Sequence, residues 1–156
     1  MTTTTSGVRL APPPRALMRT INPLVRRVIA HPRLGRRVPL MALLEFTGRR
    51  SGAPLRVPVC LHSIDGVPMV FTPRSWRLNF TEPAPVAVTR CGRVRRGYAV
   101  LLRVTPQERG TALRRALDNG ATPFELGLKV DRGHEITAGE LSGIGLALIR
   151  IDFSEE

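Results

Sequence analysis

Residues 46–58 have the sequence Phe46-Thr47-Gly48-Arg49-Arg50-Ser51-Gly52-Ala53-Pro54-Leu55-Arg56-Val57-Pro58. An apolar run enters this stretch and a β-prone run leaves it, which predicts two strands joined at a tight turn. The join of about seven residues is too short for the crossover that parallel strands need, so we expect an antiparallel pair. Glycines let a backbone approach a ligand and arginines supply forked donors, so the turn suits an anionic ligand.

The composition predicts one globular domain. The chain has 156 residues, of which 42% are hydrophobic, enough to bury a core. No apolar run reaches the roughly 20 residues that span a bilayer, and the start of the chain lacks the pattern of a signal peptide. The expected location is therefore the cytoplasm, where Cys60 and Cys91 would be free thiols, partly buried.

The charge of the chain is strongly positive. The formal net charge is +12, and Lys129 is the only lysine among 24 basic residues, which leaves 23 arginines. Such a surface attracts polyanions, so nucleic acid, anionic lipid and a phosphorylated cofactor all stay open. Aromatic residues make up only 4% of the chain, which disfavours a nucleic-acid stacking platform. We interpret Arg90, Arg93, Arg95 and Arg96 as a solvated hairpin face.

Strand patterns dominate the middle of the chain. We predict strands over residues 40–46, 54–62, 69–72, 84–90, 93–104 and 143–153. Asp65-Gly66 and Cys91-Gly92 are hairpin turn signals. Pro58 indicates an edge or a bulge in its strand. Because these strands follow one another in hairpin order, they favour an antiparallel sheet.

Helix signals flank the strands. Asn22 and Pro23 begin a basic amphipathic helix that runs to about Ala30, with a further turn of helix expected over residues 15–21. Residues 75–80 suit a single helical turn. Thr105-Pro106-Gln107-Glu108 begins a helix that runs to about Asp118, and Thr122-Pro123-Phe124-Glu125 begins a short one. The expected fold is mainly β (α+β): a split β-barrel of about six mostly antiparallel strands, with an N-terminal helix and one or two further helices. It occupies residues 15–156, after a disordered tail over residues 1–14.

The order of these features resembles the deazaflavin-dependent nitroreductase family of split β-barrel oxidoreductases. The resemblance covers residues 22–119, and its most specific part is Thr47-Gly48-Arg49-Arg50-Ser51-Gly52. Asp65-Gly66, then Trp76 and Asn79, then the helix start at Thr105 follow in order. Many members of that family bind the deazaflavin coenzyme F420, so the resemblance implies this cofactor, with FMN or another anionic cofactor as the alternative.

The resemblance also implies a set of binding residues. Arg49, Arg50 and Ser51 would lie near the phosphate and acidic tail of the coenzyme. Pro58 would line the wall beside the deazaflavin ring, and Trp76 and Asn79 would close the pocket. The full cofactor-binding set is Thr47, Arg49, Arg50, Ser51, Arg56, Pro58, Thr72, Arg74, Trp76 and Asn79. No catalytic residue is assigned. Because His31, His62 and His134 do not have the spacing of a metal site, no metal ligand is assigned either.

Two departures from the family pattern leave the function open. The family places an arginine directly after the proline of the turn and a polar residue two positions later, where this chain has Leu55 and Val57. Arg56 is adjacent, but alternation along a strand directs it to the other face. The loop before Trp76 is shorter than in the family, and Arg74 stands where a lysine is expected.

The sequence thus favours an F420-dependent oxidoreductase, nitroreductase-like, that transfers hydride to a small organic acceptor such as a quinone or a nitro compound. The alternative is a non-catalytic module on the same barrel that binds a flavin, a tetrapyrrole or a fatty acid. The N-terminal helix either packs on the barrel or rests on an anionic membrane surface, which would make the protein peripheral to the inner face of the cell membrane. The assembly would be a monomer or a homodimer.

Overall fold

The computed structural model describes residues 7–10, 23–24, 27–29, 31–33 and 41–154. The strands are β1 (Val8–Leu10), β2 (Met41–Thr47), β3 (Pro54–Cys60), β4 (His62–Ile64), β5 (Val67–Thr72), β6 (Ala84–Arg90), β7 (Arg93–Leu101), β8 (Leu128–Val130) and β9 (Ala147–Phe153). The long helix is Pro106–Asp118 and the short helix is Ala138–Ser142. Turns of 3-10 helix lie at Ser75–Phe80 and Phe124–Leu126.

A single antiparallel sheet of seven strands forms the body of the protein. Its order is β3-β2-β6-β7-β9-β5-β4, and every pairing between the described strands is antiparallel. The two edge strands, β3 and β4, are joined in the chain through Leu61 alone. The sheet therefore curls until its edges meet, which gives the expected split β-barrel. The sheet has seven strands because the predicted strand over residues 54–62 divides at Leu61.

Alternation along the strands sends one set of side chains into the barrel. On β2, Ala42, Leu44 and Phe46 face inward while Leu43, Glu45 and Thr47 face outward, and their partners on β3 follow the same rule. The interior is mostly apolar and holds the larger of the two cores. Its buried members are Ala42, Leu44, Phe46, Val59, Leu61, Val70, Phe80, Val86, Val88, Ala99, Ile149 and Ile151.

A second core lies between the outer side of the barrel and the helices. Leu113 and Ala116 of the long helix pack there with Leu141 of the short helix and with Ile64 of β4. The long helix begins where the sequence predicts, because Thr105 and Glu108 form a reciprocal capping box. Thr122 and Glu125 make the same exchange at the start of the second 3-10 turn.

Several elements differ from the sequence prediction. Val8–Leu10, within the stretch expected to be a disordered tail, pairs with β8 as a two-stranded sheet. Neither of these strands was predicted, because three residues are too few to show a period of two. The short helix was also missed, and the last two long strands are shorter than predicted: β7 ends at Leu101 and β9 begins at Ala147.

The N-terminal helix is described only in part. Pro23, Leu24 and residues 27–29 are helical, and the N–H of His31 reaches the carbonyl oxygens of Arg27 and Val28. The predicted turn over residues 15–21 lies outside the described residues. Within the described ranges, no helix is long and apolar enough to cross a membrane.

The capping box at Thr105 makes a prediction about stability. Replacing Thr105→Ala removes the oxygen that accepts the Glu108 N–H, and we expect a loss of about 1 kcal/mol in the free energy of unfolding. Chemical denaturation of both variants measures the change. Thr111→Ala, in the same helix, is the matched control, because its hydroxyl only bonds back to the Gln107 carbonyl. Equal losses in the two variants would contradict the capping role.

Candidate functional site

Residues 48–53, which follow β2, form a closed loop that we call the arginine loop. The Gly48 N–H donates to the Ala53 carbonyl at 2.9 Å, and the Gly52 N–H donates to the Gly48 carbonyl at 2.9 Å. Gly52 has a φ of +66°, a conformation that glycine adopts without strain. Arg49 and Arg50 are exposed at the tip. The loop therefore presents two guanidinium groups to solvent on a backbone held by its own hydrogen bonds.

Asn79 fastens this loop to the barrel end. Its Oδ1 accepts the Arg49 N–H at 2.8 Å, and its Nδ2 donates to the Trp76 carbonyl at 2.7 Å. The Ser51 hydroxyl accepts the Ala53 N–H at 3.2 Å within the loop. Ser51 and Asn79 of the predicted binding set therefore have a role in shaping the loop.

Trp76 belongs to an aromatic cluster at the same end of the barrel. Its ring lies 5.9 Å from that of Phe46 and 6.2 Å from that of Phe80, and the two phenylalanine rings are 4.9 Å apart. The indole is half-buried and packs on the barrel core. Trp76 thus closes the interior of the barrel beneath the arginine loop.

Thr72 and Arg74 shape the turn that leads into this cluster. Thr72 is buried, and its hydroxyl accepts the Arg74 N–H at 3.1 Å. The guanidinium of Arg77 then donates to the Arg74 carbonyl at 2.9 Å. These contacts hold the short connection between β5 and the 3-10 turn at Ser75–Phe80.

An open groove lies on the outer face of β3, β2, β6 and β7. We call it the outer groove; its volume is about 860 Å³. Ala87 brings a small side chain to this face, and Tyr98, 50% exposed, lines the groove. Its lining consists of Glu45, Phe46, Thr47, Pro54, Leu55, Arg56, Pro85, Val86, Ala87, Arg96, Gly97, Tyr98 and Ser154.

Two of the predicted binding residues line the outer groove. Thr47 and Arg56 do so, and Arg56 forms an ion pair with Glu45, its partner across the strands, at 3.1 Å. Arg49 to Ser51 follow Thr47 after Gly48, so the arginine loop adjoins one end of the groove. The other five residues lie elsewhere: Pro58 pairs with Leu43 further along β3, and Thr72, Arg74 and Trp76 support the barrel end with Asn79.

The sequence did not indicate the groove residues on β7. Arg96 and Tyr98 are two positions apart on one strand, so alternation predicts that they share a face. The register of the sheet determines which face the two side chains share and which residues lie opposite them. Arg96 pairs with Ala87, and Tyr98 pairs with Pro85. Leu55 and Val57 pair with Phe46 and Leu44, whose side chains face the barrel interior. Leu55 is nevertheless 37% exposed and is among the residues that line the outer groove.

A second cleft, of about 580 Å³, lies between the β4–β5 hairpin and the end of the long helix. His62 is only 4% exposed there, and its ring is 5.4 Å from that of Phe71. Burial lowers the pKa of His62 below 6.5, although the Glu125 carboxylate and a hydrogen bond to the Glu125 backbone act in the opposite direction. Burial likewise raises the pKa of the Cys60 thiol to about 11. No group of three or more potential metal ligands occurs among the described residues.

The fold is similar to that of several solved structures at low sequence identity. One, described as a domain-swapped dimer, is 14% identical with a TM-score of 0.49, and the match covers 88% of this chain and 97% of that one. A second is 17% identical with a TM-score of 0.43, over 86% and 82% of the two chains. A candidate 5-nitroimidazole antibiotic resistance protein from Bacteroides thetaiotaomicron is 7% identical with a TM-score of 0.44, over 96% and 86%. No protein-family model and no curated protein matches the sequence.

The role of Asn79 can be tested by its removal. Asn79→Ala leaves the Arg49 N–H and the Trp76 carbonyl without their partner, so we expect the free energy of unfolding to fall by about 1–2 kcal/mol. Amide hydrogen exchange of residues 48–52 should accelerate, because the loop loses its tie to the barrel. Asn119→Ala, at an exposed asparagine that only reaches the Ser63 carbonyl, is the control. Unchanged exchange in the loop would show that Asn79 does not fasten it.

The buried histidine predicts a pH dependence of stability. Because the folded protein holds the pKa of His62 below its usual 6.5, the unfolded chain takes up a proton first as the pH falls. The free energy of unfolding should therefore decrease as the pH is lowered through 6.5 toward the folded pKa, by at most about 1.4 kcal/mol per pH unit for this group. Denaturation curves at a series of pH values measure the slope. His62→Gln should flatten the slope and His31→Gln, at an exposed histidine, should not; equal slopes in both variants would contradict the assignment.

Proposed function

We propose that the protein binds the deazaflavin coenzyme F420 in the outer groove and transfers hydride to a small organic acceptor such as a quinone or a nitro compound. The observation that carries the proposal is the outer groove itself: an open cavity of about 860 Å³ with the arginines Arg56 and Arg96 in its lining. Its volume lies in the range of roughly 300–1,000 Å³ that is usual for cofactor and ligand sites.

The shape of the groove suits a planar ring system. Ala87 lies on the outer face of β6 and carries a small side chain, so a flat ligand could approach the sheet closely there. Pro85 and the phenol ring of Tyr98 are cross-strand partners and offer apolar surface beside it. These features support a ring-binding floor but do not select a deazaflavin over another flat ring.

The charges around the groove suit an anionic tail. Arg56 and Arg96 line the groove, where Glu45 is already paired with Arg56. Arg49 and Arg50 lie on the adjoining loop, whose backbone is held by Asn79. Guanidinium groups bind phosphate and carboxylate oxygens through two parallel hydrogen bonds, which is the chemistry that the tail of F420 requires. The donor set therefore fits the proposed coenzyme.

These positions indicate what the coenzyme and the protein would each contribute to the reaction. When bound, F420 supplies the hydride, so the protein contributes binding and orientation. Arg49, Arg50, Arg56 and Arg96 hold the anionic groups, and the floor of β6 and β7 sets the plane of the ring. The hydroxyl groups of Tyr98 and Ser154 are available in the groove to donate a hydrogen bond to an acceptor.

A non-catalytic binding module is the second candidate, and Leu55 favours it. Leu55 stands where the resembling family has an arginine, and it adds apolar surface to the groove, next to Phe46. An apolar lining suits the hydrocarbon part of a fatty acid or a tetrapyrrole, with Arg56 or Arg96 on the carboxylate. In this case the groove would hold its ligand without a redox step.

Titration of the purified protein with F420, followed by the fluorescence of the coenzyme, tests the proposal. We expect binding, and we expect the double variant Arg49→Gln, Arg50→Gln to raise the Kd at least about tenfold, because two charge-assisted contacts are lost. The matched control is Lys129→Gln, Arg132→Gln, which removes the same charge from exposed positions on and beside β8. Equal Kd values for the wild type and the loop variant would refute the assignment of the loop.

Turnover separates the two candidate functions. Reduced F420 is mixed with the protein and a panel of quinones and nitro compounds, and the recovery of absorbance from oxidised F420 is followed. Oxidation that depends on the protein and on the acceptor supports the oxidoreductase. Binding without oxidation by any acceptor favours the binding module, and failure of the wild type to bind F420 at all removes the proposed function.

A further inference from the structure

We infer that the turn between β6 and β7, together with the end of the N-terminal helix, docks the protein on an anionic phospholipid surface. The residues concerned are Arg33, Arg90, Arg93 and Arg95, which we call the arginine tip. All four are exposed. This contact differs from the outer groove, and it does not depend on which ligand the groove binds.

Contacts between two distant segments form the arginine tip. A Cβ placed on Gly92, in the β6–β7 turn, would lie 2.9 Å from the Cγ of Pro32, so the turn and the helix end are in close contact. Gly92 has a φ of +74°, and both features require glycine there. Arg33 follows Pro32 directly, so it joins the arginines on either side of the turn.

The turn end of β7 extends past the last paired residue of β9. β9 pairs with β7 as far as Gly97, and the Ser154 N–H still donates to the Arg96 carbonyl at 2.9 Å, so Arg93 to Arg95 pair with β6 alone among the described strands. Arg90 and Arg93 are direct cross-strand partners. The guanidinium of Arg95 lies over the Phe153 ring, 3.9 Å from its centroid, which fixes its position.

The sequence around the tip lacks negative charge. The first acidic residue of the chain is Glu45, and residues 1–44 contain eight arginines; between Glu82 and Glu108 there are five arginines and again no acidic residue. Among the described residues, Arg33, Arg93 and Arg95 take part in no ion pair. The two acid-free segments meet at the tip.

An apolar side chain distinguishes a lipid surface from a nucleic acid. Val94, 56% exposed, lies next to Arg93 and Arg95 in the chain, and alternation along β7 places its side chain on the same face as Arg96. Aliphatic side chains among arginines suit the boundary between headgroups and acyl chains. Nucleic-acid platforms instead use aromatic rings for stacking, and none of the residues from Thr89 to Arg96 is aromatic. The tip therefore fits anionic phospholipid better than it fits DNA or RNA.

Docking in this way would bring the outer groove near the membrane. Arg96 and Tyr98, which line the groove, follow the tip directly on β7. A molecule dissolved in the bilayer would then have a short path to the groove.

Co-sedimentation with lipid vesicles tests the inference. The wild-type protein is mixed at low salt with vesicles of equal parts phosphatidylglycerol and phosphatidylcholine, and with vesicles of phosphatidylcholine alone. We expect binding to the anionic vesicles only, weakened by added salt. The variant Arg33→Gln, Arg93→Gln should bind them roughly tenfold or more weakly, because each arginine near such a surface contributes to affinity. The control Lys129→Gln, Arg132→Gln, with the same net charge, should stay within about twofold of wild type.

Each result of these experiments either supports the lipid-docking inference or overturns it. Equal weakening of the tip variant and of the control would overturn the inference, because net charge alone would then explain binding. A Val94→Ser variant that binds vesicles less well, yet binds a DNA duplex as the wild type does, supports a lipid partner. A duplex that displaces the protein from vesicles at matched phosphate concentration, with no effect of Val94→Ser, would overturn it in favour of nucleic acid. Thermal unfolding of each variant checks that the exposed substitutions leave the fold intact.

Discussion

The register of β2 between β3 and β6 is the constraint on which the rest of the structure depends. Leu44 pairs with Val57 on one side and with Val88 on the other, and all three enter the barrel core. A slip by one residue would turn these side chains outward and bring Glu45 into an apolar interior, at a high cost in free energy. The same register places Arg56 beside Glu45 and Ala87 on the outer face. The burial of apolar side chains inside the barrel therefore also determines which residues lie at the outer groove.

The sequence predicted those elements that depend on contacts between residues close together in the chain. The capping box at Thr105 and the strand bounds of β6 agree with the structure because they depend on residues close in the chain. The outer groove could not be predicted in this way, since it requires the pairing of Pro85 with Tyr98 and of Thr47 with Pro54 in one sheet. Asn79 is a similar case: its contact with Arg49 spans 30 positions, and no pattern in the sequence marks it.

Ion pairs are unevenly distributed across the molecule. On the helical side, carboxylates accompany the arginines: Arg9 pairs with Asp131, Arg114 with Asp118 and Arg115 with Asp65. Each exposed pair adds little to stability, but each neutralises a charge. Among the described residues, Arg49 and Arg50 of the arginine loop and Arg33, Arg93 and Arg95 of the arginine tip take part in no ion pair. Their positive charges therefore lie near the two proposed binding surfaces.

The junction at Leu61 has a consequence for the integrity of the barrel. One peptide segment carries the chain from the β3 edge to the β4 edge, and the Leu61 side chain is buried in the interior that both edges enclose. Cleavage of the backbone there would release two neighbouring edges at once, each with unpaired N–H and carbonyl groups. Free edges of this kind recruit strands from other molecules, so a nick at this position would turn a self-contained sheet into a seed for association between chains.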